Sequence, residues 1–284
     1  MKVQWYPGHM TKAKRQMQDD MKLIDLVMEL LDARIPMSSR NPDIADLSKG
    51  KSCIILLNKA DLADPEVTAR WENYYKDKGY VVVKTDSRSI GGFAPISQAI
   101  AKACSEKIER DRKRGIINRP VRAMIVGIPN VGKSTFINSL CKKACAKTGN
   151  KPGVTKGKQW LRLNKNVDLL DTPGILWPKF EDDAIGEKLA YIGSVNDQIL
   201  DEEELAVSLI GFLKSKYAGL LYNRYAVDEN DDDYVILDNI ARKRGCLMKG
   251  DTTDTKKAAM LLMDDFRSGK LGKISLECPE EYDE

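Results

Sequence analysis

The sequence predicts an α/β chain in two parts: a doubly wound, mostly parallel sheet over residues 1–177, then a smaller all-helical domain over 178–284. Three observations lead there. Short apolar runs, most ending at a loop or motif residue, alternate with helical patterns in the first part. After Trp177-Pro178 no such run appears and the patterns are helical. The charge also reverses: residues 1–177 carry 32 Lys/Arg against 18 Asp/Glu, whereas 178–284 carry 14 against 24.

Taken in order, residues 10–22 (MTKAKRQMQDDMK) join strong helix formers to charges three and four apart, which predicts an N-terminal helix belonging to the first domain. The run LIDLVMELL at 23–31 follows, and periodicity alone does not separate strand from helix there. Cys53–Leu57, Tyr80–Lys84, Val121–Val126 and Val167–Leu170 read as buried parallel strands, whose ligand crevice lies at their carboxyl ends. Helical patterns occupy 66–78, 94–113 and 133–143 between them. Beyond 178 they occupy 183–192, 202–216, 233–244 and 254–268, with Gly245 and Gly250 as helix ends or turns. The acidic cluster DENDDD at 228–233 reads as a solvated loop.

With 42% apolar and 31% charged residues the chain is of ordinary globular composition. No apolar stretch approaches the roughly 18–20 residues that cross a bilayer, so no membrane partner is expected. The opening MKVQWYPGHM has neither an apolar signal core nor transit-peptide character, and a cytoplasmic location is expected. Among six scattered cysteines, Cys141 and Cys145 lie four apart, but no second Cys/His pair has metal-site spacing; free thiols are expected. The basic front half suits a polyanionic partner as well as it suits a solvated face. Lys12–Arg15, Lys107–Arg119, Lys142–Lys158 and Arg242–Arg244 are candidate RNA contacts on the same terms.

The segment Gly127-Ile-Pro-Asn-Val-Gly-Lys-Ser134 follows the apolar run VRAMIV and opens a helical pattern, the context a phosphate-cradling loop requires. Its backbone N–H groups, through Asn130, Val131 and Gly132, and the helix N-terminus that follows at Thr135 would face phosphate oxygens. Lys133 would reach the β- and γ-phosphates, and the Ser134 hydroxyl would ligate Mg²⁺. Asp171-Thr-Pro-Gly174, after VDLL, supplies a carboxylate for Mg²⁺, directly or through water, and the Gly174 N–H for the γ-phosphate. Thr155 is then the switch threonine, joining the metal only when the γ-phosphate is present.

Asn58-Lys59-Ala60-Asp61, after CIILL, accounts for base choice. The Asp61 carboxylate accepts two hydrogen bonds from the ring N–H and exocyclic amine of guanine, a donor pair that adenine lacks. Asn58 would tie this loop to the phosphate loop, and the Lys59 stem would cover the base. Asp86-Ser87, after YVVVKT, fits a last contact from backbone N–H to the guanine oxygen. The base motif here precedes the phosphate motif by about seventy residues, the reverse of the usual GTPase order. The first part therefore reads as a P-loop GTPase domain with circularly permuted motif order.

Together with WYPGHM at 5–10, Asp32-Ala-Arg-Ile-Pro36, DTPGILWPKF at 171–180 and Lys243-Arg-Gly-Cys-Leu-Met248, these motifs resemble the circularly permuted GTPases of the YlqF/RbgA family over nearly the whole chain. The resemblance implies hydrolysis of GTP to GDP and phosphate, stimulated by the ribosomal particle. It also implies a late role in maturation of the large (50S) subunit, contact with rRNA, and release after hydrolysis, with the protein monomeric off the ribosome. Two other readings stand beside it: an RNA-binding module using nucleotide only structurally, and a GTPase acting on another RNA. Where many GTPases place a water-orienting Gln, this chain has Ile175, as the family does. Asn130 matches the asparagine that holds K⁺ in potassium-activated relatives.

The permutation places new chain ends beside the switch. One leads from 171–177 into the helical domain, whose orientation is expected to follow the γ-phosphate. The other carries His9, the single histidine. If the N-terminal helix packs antiparallel to the 23–31 strand, His9 returns to the nucleotide edge, where an imidazole of ordinary pKa near 6.5 can orient or deprotonate water. His9 is thus the candidate catalytic residue alongside Lys133 and Thr155; the alternative for it is packing or RNA contact beside Trp5 and Tyr6.

Overall fold

Six strands form one sheet in a computed structural model that describes residues 17–89, 93–116, 119–141, 159–171, 183–195 and 201–282. The chain divides into two compact units, each described by itself below: the first takes the described residues up to 171 and again from Ser275, the second Asp183–Ile274.

In the first unit the strands are β1 (Leu26–Asp32), β2 (Ser52–Asn58), β3 (Val81–Lys84), β4 (Val121–Val126), β5 (Gln159–Asn164) and β6 (Val167–Asp171). Their spatial order is β3-β2-β1-β4-β6-β5, parallel except for β5, which runs antiparallel to β6. The order reverses between β1 and β4, so the loops that leave these two strands open a crevice at the sheet's carboxyl edge.

The central strands are apolar at nearly every position because both faces are covered. On one face Val27, Met124, Val126 and Leu170 pack with Met17 and Met21 from the described end of the N-terminal helix and with Ile24 from the turn that follows. Further along it Leu31, Ile55 and Leu57 meet Val67, Trp71 and Tyr75 of the helix Pro65–Asp77. Glu29 lies between Val27 and Leu31 on that strand face, and its carboxylate accepts from Arg40 Nε at 3.1 Å. On the opposite face Leu26, Met28, Leu30, Ile54, Leu56, Ala123 and Ile125 are fully buried. The helix Pro65–Asp77 starts where it does because Asp64 accepts from Glu66 N–H and Val67 N–H, with Pro65 in the first turn.

The structure departs from the sequence reading in several places. The run at 23–31 becomes strand only from Leu26, because residues 21–24 turn and leave Leu23 48% exposed. The helical pattern 94–113 is two helices, Ala94–Ala103 and Ser105–Lys113, divided at Cys104, whose φ of −103° and ψ of 12° leave the helical region. The second buries no residue. The edge strand β5 and the short helices Pro42–Leu47 and Leu220–Tyr225 have no counterpart in that reading.

The helical unit contains Asp183–Tyr191, Glu202–Lys216, Leu220–Tyr225, Asp233–Lys243 and Thr255–Arg267. Its core is Leu205, Leu209, Ile210, Leu213, Ile236, Ile240, Leu262 and Phe266. Gly245 and Gly250 sit in turns at φ of 66° and 89°. The expected domain 178–284 loses its last part: Ser275–Tyr282 packs in the first unit. Leu276 N–H donates to Arg34 O at 2.8 Å, and Trp71 Nε1–H donates to Glu277 O at 3.0 Å. Fully buried Glu277 accepts from Met37 N–H at 2.9 Å, Ser38 N–H at 3.2 Å, the Ser38 hydroxyl and Tyr282 O–H at 3.1 Å.

Candidate nucleotide site

Loops leaving β1, β2, β3 and β4, together with Asp171 at the end of β6, meet at the carboxyl edge. The loop after β4 is shaped by two glycines. A Cβ on Gly127 would stand 2.6 Å from Leu30 O, a backbone atom of β1. One on Gly132, at φ 105°, would stand 2.5 Å from Asn58 Nδ2. Asn130, between them, adopts a left-handed φ of 59°. Such alternation turns consecutive N–H groups toward one concavity, an anion-binding nest opening onto the helix Lys133–Cys141. Ser134 and Thr135 occupy the first turn of that helix.

Lys133 is buried, and its Nζ donates to Gly127 O at 2.9 Å and Ile128 O at 3.0 Å. Burial pulls its pKa down to about 8, partly offset by the Asp171 carboxylate. An ammonium held this way lacks a full counter-charge, which a di- or triphosphate in the nest would supply.

Asn58 joins the base loop to the phosphate loop. Its Nδ2 donates to Val131 O at 2.7 Å, while its Oδ1 accepts from Ser87 N–H at 3.0 Å, Ser87 O–H at 2.7 Å and Thr85 O–H at 3.1 Å. Ala60 N–H donates to Thr85 O at 3.1 Å, and the Ser139 hydroxyl to Ser87 O at 2.5 Å. One side chain thus fixes the loops after β2, β3 and β4 together. Asp61 stands at the mouth, paired with Arg88, which also reaches Asp86 at 3.4 Å. The other Asp61 oxygen, Oδ1, is buried without a hydrogen-bond partner. A buried acceptor in that state suits a ligand with donors in a plane, as the guanine edge has.

Lys59, at a left-handed φ of 56°, donates from Nζ to Asn130 O at 3.0 Å and pairs with Asp32 at 3.0 Å. Asp32 also accepts twice from Arg34, Nε at 2.9 Å and Nη2 at 2.8 Å. Burial alone would raise the Asp32 carboxyl, but the Arg34 guanidinium and Lys59 ammonium hold it well below the usual carboxylate range. The sequence reading gave no role to Asp32, Arg34, Thr85, Arg88 or Ser139. A salt-bridging Asp-x-Arg at the end of an apolar strand was the available signal for the first two.

The residues present fit Mg²⁺: the Ser134 hydroxyl and the Asp171 carboxylate are hard oxygen donors of the kind that share this ion with nucleotide phosphates. Among the described residues no cluster of three His, Cys, Asp or Glu could cage a metal, and the five described cysteines are free thiols. His9, Thr155, Gly174, Ile175 and Cys145, and the basic stretches Lys12–Arg15 and Lys142–Lys158, lie outside the described residues. Of the other basic candidates, Lys107 pairs with Asp111 at 2.7 Å and Arg119 with Asp25 at 3.5 Å. Arg242 pairs with Asp238 at 2.9 Å, and Arg244 donates to Arg224 O at 2.6 Å.

A glycine-shaped phosphate nest with its lysine, locked by an asparagine to a guanine-type acceptor, on a sheet whose base loop comes first in the chain, defines a circularly permuted P-loop GTPase. The family model described as "50S ribosome-binding GTPase" matches residues 122–236. The chain is 46% identical to ribosome biogenesis GTPase A of Bacillus cereus, covering 100% of this chain and 96% of that protein. It is 47% identical to the same protein of Priestia megaterium, covering 100% and 99%. The crystal structure of GNP-bound YlqF from T. maritima matches with a TM-score of 0.66 at 30% identity, over 95% of this chain and 99% of that one. The chain belongs to the ribosome biogenesis GTPase A family, YlqF/RbgA, and is a GTPase.

Proposed function

We propose that the protein binds precursors of the large ribosomal subunit through rRNA in its GTP state and leaves after hydrolysis. The relatives named for ribosome biogenesis support this reading. The observation that carries the nucleotide part is the Asn58 lock, which brings the phosphate nest and the Asp61 acceptor into one site. GTP is the substrate. Asn58, Lys59, Ala60, Asp61, Asp86 and Ser87 hold the base, and Asn130 to Thr135 with Gly174 hold the phosphates.

Ser134, Thr155 and Asp171 would hold Mg²⁺, Asp171 directly or through water, and Asn130 would hold K⁺. These ions supply positive charge to the phosphates as charge builds on them. Lys133 reaches the same oxygens once nucleotide displaces its bonds to Gly127 O and Ile128 O. His9 orients or deprotonates the attacking water that Ile175 cannot hydrogen-bond. The protein works as a cytoplasmic monomer between rounds of assembly, and Arg242–Arg244 with Lys107–Arg119 are its candidate RNA contacts.

The test is multiple-turnover hydrolysis and co-sedimentation with purified large- and small-subunit particles under GTP, GDP and a non-hydrolysable analogue. GTP-selective sedimentation with large-subunit particles, and hydrolysis faster in their presence and in KCl than in NaCl, are the expected results. Equal binding to both subunits in all nucleotide states would overturn the assembly role. A His9→Ala variant with unchanged particle-stimulated kcat would remove His9 from the chemistry.

A further inference from the structure

The segment Ser275–Tyr282 sits on the two loops that lead to the guanine acceptor. Ser275 Oγ accepts from Asp64 N–H at 3.2 Å, three residues beyond Asp61. Leu276 N–H donates to Arg34 O at 2.8 Å. Glu277 then accepts from both N–H groups at Met37 and Ser38 and from the Ser38 hydroxyl, closing the turn after β1 around its carboxylate. Inside that turn Ser39 Oγ accepts from Asp32 N–H at 3.1 Å, and Arg34 grips the Asp32 carboxylate from the other side. Asp32 holds Lys59, and Lys59 holds Asn130 O in the phosphate loop.

A path thus runs from Glu277 through the backbone of the 37–39 turn and the Ser39 hydroxyl to Asp32, and from Asp32 through an ion pair to the lysine of the base motif. We infer that Glu277 is a positioning residue for guanine nucleotide: it fixes the turn that sets Arg34 and Asp32, and through them the Lys59 stem over the base. The inference rests on the assignment of Asn58–Asp61 as the guanine-reading loop. Two physical points favour positioning over simple packing. Glu277 Oε2 accepts from two successive backbone N–H groups of one turn, while Oε1 takes the Ser38 and Tyr282 hydroxyls, and bonds to backbone N–H groups fix backbone geometry rather than filling volume. The strand end it controls carries Asp32, which pairs with Arg34 at 2.8 Å and with Lys59 at 3.0 Å. Pyrophosphate contacts come from the nest and Lys133, so the base half of the ligand should feel Glu277 more than the phosphate half.

The test uses the full chain and two probes, fluorescent mant-GDP and inorganic tripolyphosphate, which lacks a base. Glu277→Gln keeps size but turns an N–H₂ toward N–H donors; Ser38→Ala removes a single bond and serves if the first variant folds poorly. The expected result for Glu277→Gln is a mant-GDP Kd raised about tenfold, the equivalent of one charge-assisted hydrogen bond, with tripolyphosphate affinity changed less than about twofold. Ser38→Ala should move mant-GDP in the same direction by about threefold. Unchanged mant-GDP affinity in both variants, or equal losses for both probes, would overturn the inference. Asp61→Asn is the separate control: if it fails to exchange guanine for xanthine preference, the base-loop assignment fails, whatever Glu277 does.

Discussion

Replacing Asn58 separates the two jobs of its side chain. The residue is 1% exposed, donates once to Val131 O and accepts three times from Ser87 and Thr85. In Asn58→Ala the hydroxyls of Ser87 and Thr85 can rotate to other acceptors, but the Ser87 N–H and the Val131 carbonyl cannot. Two buried backbone groups without partners, at about 1–3 kcal/mol each, give an expected loss of about 2–6 kcal/mol. Asn58→Asp keeps the acceptor for Ser87 and Thr85 and sets an oxygen against Val131 O across 2.7 Å, so its cost falls on the phosphate loop. Urea unfolding read by tryptophan fluorescence, with fully buried Trp71 as reporter in the same unit, measures the first effect; mant-GDP titration measures the second. The alanine variant should lose stability and affinity. The aspartate variant should lose nucleotide affinity out of proportion to stability. An alanine variant within about 1 kcal/mol of the parent and with unchanged GDP affinity would refute the idea that one side chain unites the loops.

Gly127→Ala should weaken GDP binding more than tenfold in a fluorescence titration, because its Cβ meets a strand carbonyl at 2.6 Å and overpacking there costs about 1–3 kcal/mol. Asp61→Asn should turn nucleotide preference from GDP toward XDP, since the amide presents a donor where guanine also presents one; competition binding reads this directly. Asp32 gives a pH signature. Its folded pKa lies below the unfolded value of about 3.9, so its stabilisation is full above that value and is lost as pH falls through the folded pKa. The stability gap between the parent and Asp32→Asn, measured by urea unfolding from pH 7 to pH 3, should therefore be widest near neutrality and narrow below about pH 4. A gap that widens on acidification would contradict the assigned charge partners.

The parts legible in the sequence are those where local chemistry dictates residue type. A phosphate nest needs glycine wherever a Cβ would strike β1 or Asn58, so Gly127 and Gly132 announced the loop. The buried strands announced themselves because both faces are covered and nearly every central position is apolar. The half-exposed edge strand β5, QWLRLN, has only Leu161 buried among its central residues and so carries too weak a pattern. The break at Cys104 was hidden because residues 94–113 keep helix-favouring composition through it. Glu277 was out of reach for another reason. Its partners in the turn after β1 lie 239 and 240 residues earlier, and nothing local distinguishes a buried acceptor from a solvated acid in an acidic tail.

The return of Ser275–Tyr282 to the sheet makes the helical unit an insertion within the nucleotide domain rather than an appendage to it. Synthesis therefore delivers β1 and the Trp71 helix long before the carboxylate that closes their turn. During that interval the 34–38 turn has open backbone donors and Trp71 an open indole N–H. Folding of Asp183–Ile274 before Glu277 docks would shorten the chain that must be closed, and so lower the entropic cost of that closure. The nucleotide domain thus closes the 34–38 turn only after both Asp183–Ile274 and the Ser275–Tyr282 segment have been synthesised.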